Sequence, residues 1–249
     1  MELVWFVLFA VLLAGYFALE GFDLGVGMLL PFLGETPRDK DRMVAAIAPF
    51  VLANEVWLVA VAGTLFGVYP MLEGPVLSGI YPLVVGMLLA WILRDAGLWF
   101  RRRLEGAGWQ RFWALMIAVG SAGLSFGWGA ALSSLVAGSG LMAVLSGLVV
   151  MGLFAFHGWT FLGWRLPGFL GPGVDRTGWA VVVSGAVAAA PALAVVLSAA
   201  PYMMGSSAPA ATLNVLSVMA LPFAPIVALA QGWVWRTFGR GAVRTPSFF

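Results

Sequence analysis

The sequence predicts an all-α integral membrane protein, a bundle of about seven transmembrane helices with the N-terminus outside and the C-terminus in the cytoplasm. Three observations lead there. The first is composition: 62% of the 249 residues are hydrophobic and 10% are charged, with a mean hydropathy of +0.99, whereas a soluble domain carries about a quarter charged residues. The second is run length. Roughly 30 Å of hydrocarbon takes about 20 apolar residues at 1.5 Å each, and seven runs are long enough. The third is the confinement of Lys and Arg to alternate loops. Thirty-two Gly, 18 Phe and 12 Trp suit the same class, through close helix contacts and interfacial aromatics.

In chain order the predicted spans cover about 3–32, 44–69, 76–100, 112–136, 141–164, 179–200 and 213–235, so that residues 1–249 form a single transmembrane helical domain. The first span opens MELVWF with no basic leader and is far longer than a signal h-region, so it reads as a resident helix rather than a cleaved signal. Its Gly21 and Gly25 have the small-xxx-small spacing that lets helices approach closely, and Gly15 and Gly27 flank them. The second span follows GETPRDKDR, the fullest polar loop in the chain. The first three spans are long enough to tilt or protrude. The fourth carries Gly120, Gly123, Gly127 and Gly129, and the fifth the only histidine, His157.

The first, third and fifth loops and the C-terminal tail hold Arg38, Lys40, Arg42, Arg101, Arg102, Arg103, Arg111, Arg165, Arg176, Arg236, Arg240 and Arg244, and the other loops hold no Lys or Arg. Short loops obey the positive-inside bias, which sets the predicted orientation. An even number of spans would break the pattern. The slightly basic balance, a net charge of +2, is thereby used at helix ends and does not point to nucleic acid.

Several chemistries are excluded by residue counts. Zero cysteines rule out disulfides, thiolate clusters and Cys-bound zinc. A single histidine denies this chain a pair of His axial ligands for haem. The only lysine, Lys40, lies in a loop, which excludes a retinal Schiff base in the last span. No Walker sequence, metal-ligand cluster or Ser/His/Asp set is present. The sequence therefore assigns this chain no catalytic residue and no metal site.

Ionisable groups inside a bilayer are costly and each needs a reason. Six stand out: Glu20 and Asp23 in the first span, Glu55 in the second, Arg94 and Asp95 in the third, and His157 in the fifth. Counting from the cytoplasmic loops at 1.5 Å per residue puts the acids Glu20, Asp23 and Glu55 roughly 15 to 20 Å deep and Arg94 about 10 Å deep, which predicts one shared polar cluster in the inner half. Glu20 and Asp23 are on one helical face. A guanidinium can take a carboxylate in bidentate fashion, and Arg94 with Asp23 is the preferred pair. Asn54, beside Glu55, adds a hydrogen-bonding group. The cluster admits two readings, a structural ion pair that fixes helix register and a proton relay. His157 and Trp57 read as structural polar residues.

Specific strings add a resemblance. GYFALEGFDLGVGMLLPFLG (15–34), with its GFDLGVG core, closely resembles the opening helix and loop of subunit II of the cytochrome bd type quinol oxidases. NEVWL (54–58) and GTLFGVYP (63–70) are similar to that family's second helix, SGIYPLVVGMLLAWILRDAGLWFR (78–101) to its third, and FHGWTFLGWRLPG (156–168) to its HGA-containing helix. PYMMGSSAP (201–209) and the segment 212–243 resemble its outer loop and last helix. Asp23, Asn54, Glu55, Trp57, Arg94 and His157 fall on matching positions, and Glu20 on one acidic in many relatives. Val51, Leu52 and Ala53 stand where the family usually has Trp-Asp-Gly, so the aspartate associated with proton delivery in some members is replaced by Leu52. Asp95 and Trp99 reverse a more usual small residue and glutamate. The chain resembles a shortened member, with about two helices fewer between His157 and the last span.

The resemblance implies an accessory subunit of a membrane quinol:dioxygen oxidoreductase in the bacterial cytoplasmic membrane. Haem b and haem d would reside in a partner, subunit I, with quinol and dioxygen handled at the level of the complex. A quinone site and a small single-helix subunit belong to the same expectation, and this chain itself would bind no cofactor. Two rivals stand beside it. One is a stand-alone proton-coupled transporter or channel using Glu20, Asp23, Glu55 and Arg94, against which no internal repeat is detectable. The other is a purely structural scaffold subunit.

Overall fold

The computed structural model describes residues 1–239 and residue 243, so that Arg240 and Arg244 of the predicted basic tail lie outside the described residues. Within these the chain runs through α1 (Glu2–Leu33), α2 (Pro37–Ile47), α3 (Val51–Val68), α4 (Pro70–Gly79), α5 (Tyr81–Phe100), α6 (Ala107–Val136), α7 (Leu141–Arg165), α8 (Gly178–Ser198), α9 (Ala200–Gly205), α10 (Ala210–Ala220), a 3-10 turn (Leu221–Phe223) and α11 (Ala224–Phe238), with no strand among them. Seven elements among the described residues are long and apolar enough to cross a membrane: α1, α3, α5, α6, α7, α8 and the composite 210–238.

Boundaries move where proline interrupts an apolar run, because proline lacks the backbone N–H and crowds the preceding turn. The run expected at 44–69 is split at Pro49 into the end of α2 and the start of α3. The run at 76–100 starts inside α4, and its spanning helix begins only at Tyr81, followed by Pro82. The last span is broken around Pro222 and Pro225. The fourth begins earlier than expected, at Ala107, which puts Arg111 in its second turn.

The loop GETPRDKDR is largely helix. Thr36 is the N-cap of α2 and Pro37 its first residue, and Thr36 Oγ1 accepts from the Asp39 N–H at 3.1 Å while Asp39 Oδ2 accepts from the Thr36 N–H at 3.1 Å. This reciprocal pair is a capping box. The same helix buries Met43, Val44, Ala46 and Ile47 beneath α1.

α1 is the central element, packed by α3, α6, α7 and α8. Phe17 sits edge-on to Trp128 and Phe154 at 5.3 Å each, and Phe22 stacks on Phe161 at 4.1 Å. Glycines set the closest approaches. A Cβ on Gly25 would lie 2.8 Å from the Gly158 Cα, so α1 and α7 touch backbone to backbone. A Cβ on Gly120 would lie 2.6 Å from the Arg94 N, which brings α6 against α5 beside the buried arginine. α5 buries only Ala90, Arg94, Gly97 and Leu98, a single stripe at helical spacing that faces α6.

The first, third and fifth loops meet at one end. Arg101 Nη1 donates to Asp41 Oδ1 at 2.6 Å, linking the third loop to α2, and the Arg42 guanidinium lies 5.3 Å from the Phe169 ring, linking α2 to the fifth loop. Trp164 and Trp235 stack at 5.9 Å, adding the end of the last span. An odd number of spans brings these basic segments together.

Candidate functional site

The candidate site is a charged cluster inside the bundle, built by α1, α3 and α5. Arg94 is 1% exposed and is the hub. Its Nη2 lies 2.7 Å from Glu20 Oε1, and its Nη1 lies 2.6 Å from Glu55 Oε1 and 3.0 Å from Asp95 Oδ1. The two Nη1 contacts are hydrogen bonds, whereas the Glu20 contact is an ion pair without hydrogen-bond alignment. Trp91 Nε1 also donates to Glu55 Oε1 at 3.2 Å. Residues 91, 94 and 95 share one side of α5, so one helical turn supplies the guanidinium and two of its neighbours.

The expected Arg94–Asp23 pair does not form. Asp23 instead accepts from Asn54 Nδ2 at 2.7 Å, and the same amide nitrogen donates to the Leu19 carbonyl at 3.1 Å. Glu20 and Asp23 share a helical side, but one turn separates them along α1, and the longer Glu20 side chain reaches the guanidinium. Glu20 Oε2 and Asp23 Oδ1 are buried and have no hydrogen-bond partner among the described residues.

A second layer comes from the last span. Gln231 Nε2 donates to Asn54 Oδ1 at 2.9 Å, and Trp57 Nε1 donates to Gln231 Oε1 at 3.4 Å, while the Trp57 ring packs against Gly15. Gln231 and Trp91 are not among the residues that the sequence singles out. A signal for Gln231 existed, since it is a polar amide within an apolar span, and the same depth argument that selected Asn54 applies to it.

The cluster is sealed on α1 and partly open on the outer side of α3 and α5. Side-chain exposure is 2% for Glu20 and 13% for Glu55, and it reaches 33% for Asp95. Leu52, one turn before Glu55, is 55% exposed and points out of the bundle.

His157 belongs to a separate site. Its Nε2 lies 2.9 Å from the Ala18 carbonyl and its Nδ1 2.7 Å from Ser184 Oγ. A carbonyl only accepts, so Nε2 carries a proton, and the Ser184 hydroxyl beside Nδ1 also reaches the Val181 carbonyl at 3.1 Å. With both ring nitrogens engaged and Phe22 5.7 Å away edge-on, His157 does not fit a haem axial ligand. No group of three or more His, Cys, Asp or Glu is arranged to hold a metal among the described residues.

Fold and site define a multi-pass helical membrane protein that gathers one guanidinium and several carboxyls within the bundle. The family model described as cytochrome bd terminal oxidase subunit II matches residues 1–200, and the chain belongs to that family. It is 33% identical over 183 residues to cytochrome bd ubiquinol oxidase subunit 2 of Bacillus subtilis, covering 67% of this chain and 54% of the relative. It is 34% identical over 121 residues to cytochrome bd-I ubiquinol oxidase subunit 2 of Escherichia coli, 49% of this chain and 32% of the relative. A probable cytochrome oxidase subunit 2 of Haemophilus influenzae is 32% identical over 113 residues, 45% of this chain and 30% of the relative. The matched part thus spans about half of the Bacillus relative and about a third of the other two.

Proposed function

We propose that this chain is a haem-free accessory subunit of a quinol:dioxygen oxidoreductase in the bacterial cytoplasmic membrane, with its N-terminus outside and its basic loops in the cytoplasm. Family membership supports the oxidase assignment. The b-type and d-type haems and the quinone site belong to a partner subunit I, to which this chain offers exposed apolar faces such as Leu88, Leu89 and Ile92 on α5. A small single-helix subunit completes the expected assembly.

The observation that carries a role in proton handling is the acid surplus around Arg94: Glu20, Glu55 and Asp95 all touch one guanidinium, and Asp23 lies one turn away. A low-dielectric site opposes uncompensated charge. More acidic sites than positive charge in one cluster is the arrangement that stores and exchanges protons among carboxyls. Asp95 and Glu55 stand at its open side, Glu20 and Asp23 at its sealed side. Arg94 holds the geometry, and Asn54 and Gln231 orient Asp23 from the other flank. Electron transfer and dioxygen chemistry take place on the partner's cofactors and involve none of these side chains.

The test is co-purification. A membrane partner carrying a d-type visible band, together with slowed quinol oxidation in Glu55→Gln at unchanged haem content, is the expected result, and absence of any haem-bearing partner overturns the assignment. One observation favours a second reading, that the cluster is purely structural: Leu52 puts an apolar, exposed side chain where the resemblance expects an acid. Full turnover in both Glu55→Gln and Asp23→Asn selects that reading. Proton flux in liposomes containing this chain alone selects the stand-alone transporter or channel.

A further inference from the structure

We propose that a cavity at the basic end of the bundle binds a phosphate group, presented by an anionic phospholipid at the membrane surface or free in solution. The cavity measures about 90 Å³ and lies between the start of α2, the end of α5 and the start of α6. Lys40, Arg101, Gln110 and Arg111 line it, with Glu35 the one carboxylate among its walls. Its volume is well above the ~10 to 15 Å³ of such space that one water needs, so a small anionic group can enter.

Arg101 is the informative residue. It lies beyond the apolar part of α5 and yet is 1% exposed. Its Nη1 donates to Asp41 Oδ1 at 2.6 Å and its Nη2 to the Pro37 carbonyl at 3.3 Å, which fixes the guanidinium. Its Nε is buried and has no hydrogen-bond partner among the described residues. Fixed in the cavity wall, this guanidinium contributes positive charge that favours an anionic group there.

The second contribution is backbone. α6 starts at this cavity, with Ala107 in the wall. Its N-cap, Gly106, supplies no side-chain acceptor, so the first-turn N–H groups remain without intrahelical partners. The positive end of a 30-residue helix therefore adds to Lys40, Arg101 and Arg111. Two cues place the cavity at head-group level. Trp109, Phe112 and Trp113 cluster beside it at ring separations of 5.1 to 5.5 Å, and such aromatics favour the membrane–water boundary. Basic pockets at this level take anionic lipid head groups.

The test uses the purified chain with whatever partner it retains, in native mass spectrometry with phosphatidylglycerol or phosphatidylcholine, and in thermal shift with inorganic phosphate. Wild type is expected to retain phosphatidylglycerol at least tenfold over phosphatidylcholine. Lys40→Ala with Arg111→Ala should abolish that preference, while Arg111→Lys and the control Arg236→Ala, which does not line the cavity, should keep it. Thermal protection by inorganic phosphate, lost in the double variant and without lipid preference, assigns the cavity to free phosphate. A wild type indifferent to both probes overturns the proposal, whether or not the double variant assembles. So does equal retention by the double variant, or a loss in Arg236→Ala as large as in the double variant.

Discussion

Arg94 of α5 and Glu20 of α1 face each other at 2.7 Å with side chains only 1% and 2% exposed. Neither helix packs this residue against apolar neighbours alone, and each charge explains the other's position. The guanidinium is also shared with Glu55 of α3, so a single side chain ties three spans together.

The first prediction concerns that tie. Arg94→Leu leaves buried carboxyls without their cation, and breaking a buried pair from one side costs roughly 3 to 5 kcal/mol. The expected outcome is a large loss of assembled complex, read as haem recovered per unit membrane. Arg94→Lys should recover only part of it, because an ammonium lacks the planar fork that reaches Glu20 and Glu55 from separate nitrogens.

Asp23→Asn should behave differently. Asp23 is held by the Asn54 amide rather than by Arg94, and an asparagine oxygen accepts the same bond. Assembly should hold within about 1 kcal/mol, and turnover should fall if Asp23 relays protons. Steady-state oxygen uptake normalised to haem separates the two effects.

Glu55→Gln keeps an acceptor for Trp91 and Arg94 while deleting an acid at the open side of the cluster. Complex yield should stay near wild type and quinol oxidation should slow. A pH profile of turnover that changes shape in this variant locates the exchange of protons at Glu55, and an unchanged profile removes Glu55 from the path.

Gly25→Val is predicted to block docking of α1 on α7, since a Cβ there already meets the Gly158 backbone. Overpacking of this kind costs roughly 1 to 3 kcal/mol where side chains can yield, and here backbone must move. Thermal melting of the purified complex should drop sharply, whereas Gly63→Ala on α3, whose Cβ would meet nothing within 4 Å, should leave it unchanged.

At the basic end, hydrogen bonds from the Thr36 hydroxyl and backbone N–H hold the Asp39 carboxyl below its usual range. A depressed folded-state value means that this contribution is fully present above the unfolded value of about 3.9 and is lost as pH falls through the folded one. Hydrogen-exchange protection of α2 amides should therefore decline in acid below about pH 4. Asp39→Asn should remove that dependence, and Thr36→Ala should lower protection at neutral pH by about 1 kcal/mol.

Span number follows from hydropathy and length, which is why seven runs in the sequence correspond to seven crossing elements. Helix interruptions at Pro49, Pro82, Pro222 and Pro225 are hidden by hydropathy averaging, although the prolines themselves are plain. T-P-R-D at 36–39 carries the spacing of a capping box, and its polarity concealed a helix. Depth arithmetic gathered Glu20, Glu55 and Arg94 into one cluster, and the structure brings them into contact. It could not choose between Glu20 and Asp23 as partner, because that choice depends on helix rotation and side-chain reach, neither of which depth contains. Asn54 was found by its neighbour Glu55, and its bond to Gln231 required knowing which distant helix lies beside α3.

The last span carries a further consequence. From Ala210 to Phe238 only Leu213 is buried, and its breaks at proline leave short helices with little of their own to dock against. The segment is held by a few point contacts instead of a buried face: Trp5 with Ser217, Trp57 and Asn54 with Gln231, and Trp235 against Phe50 and Trp164. Loss of any one of them loosens the whole span, and the Gln231–Asn54 bond ties its placement to the amide that holds Asp23.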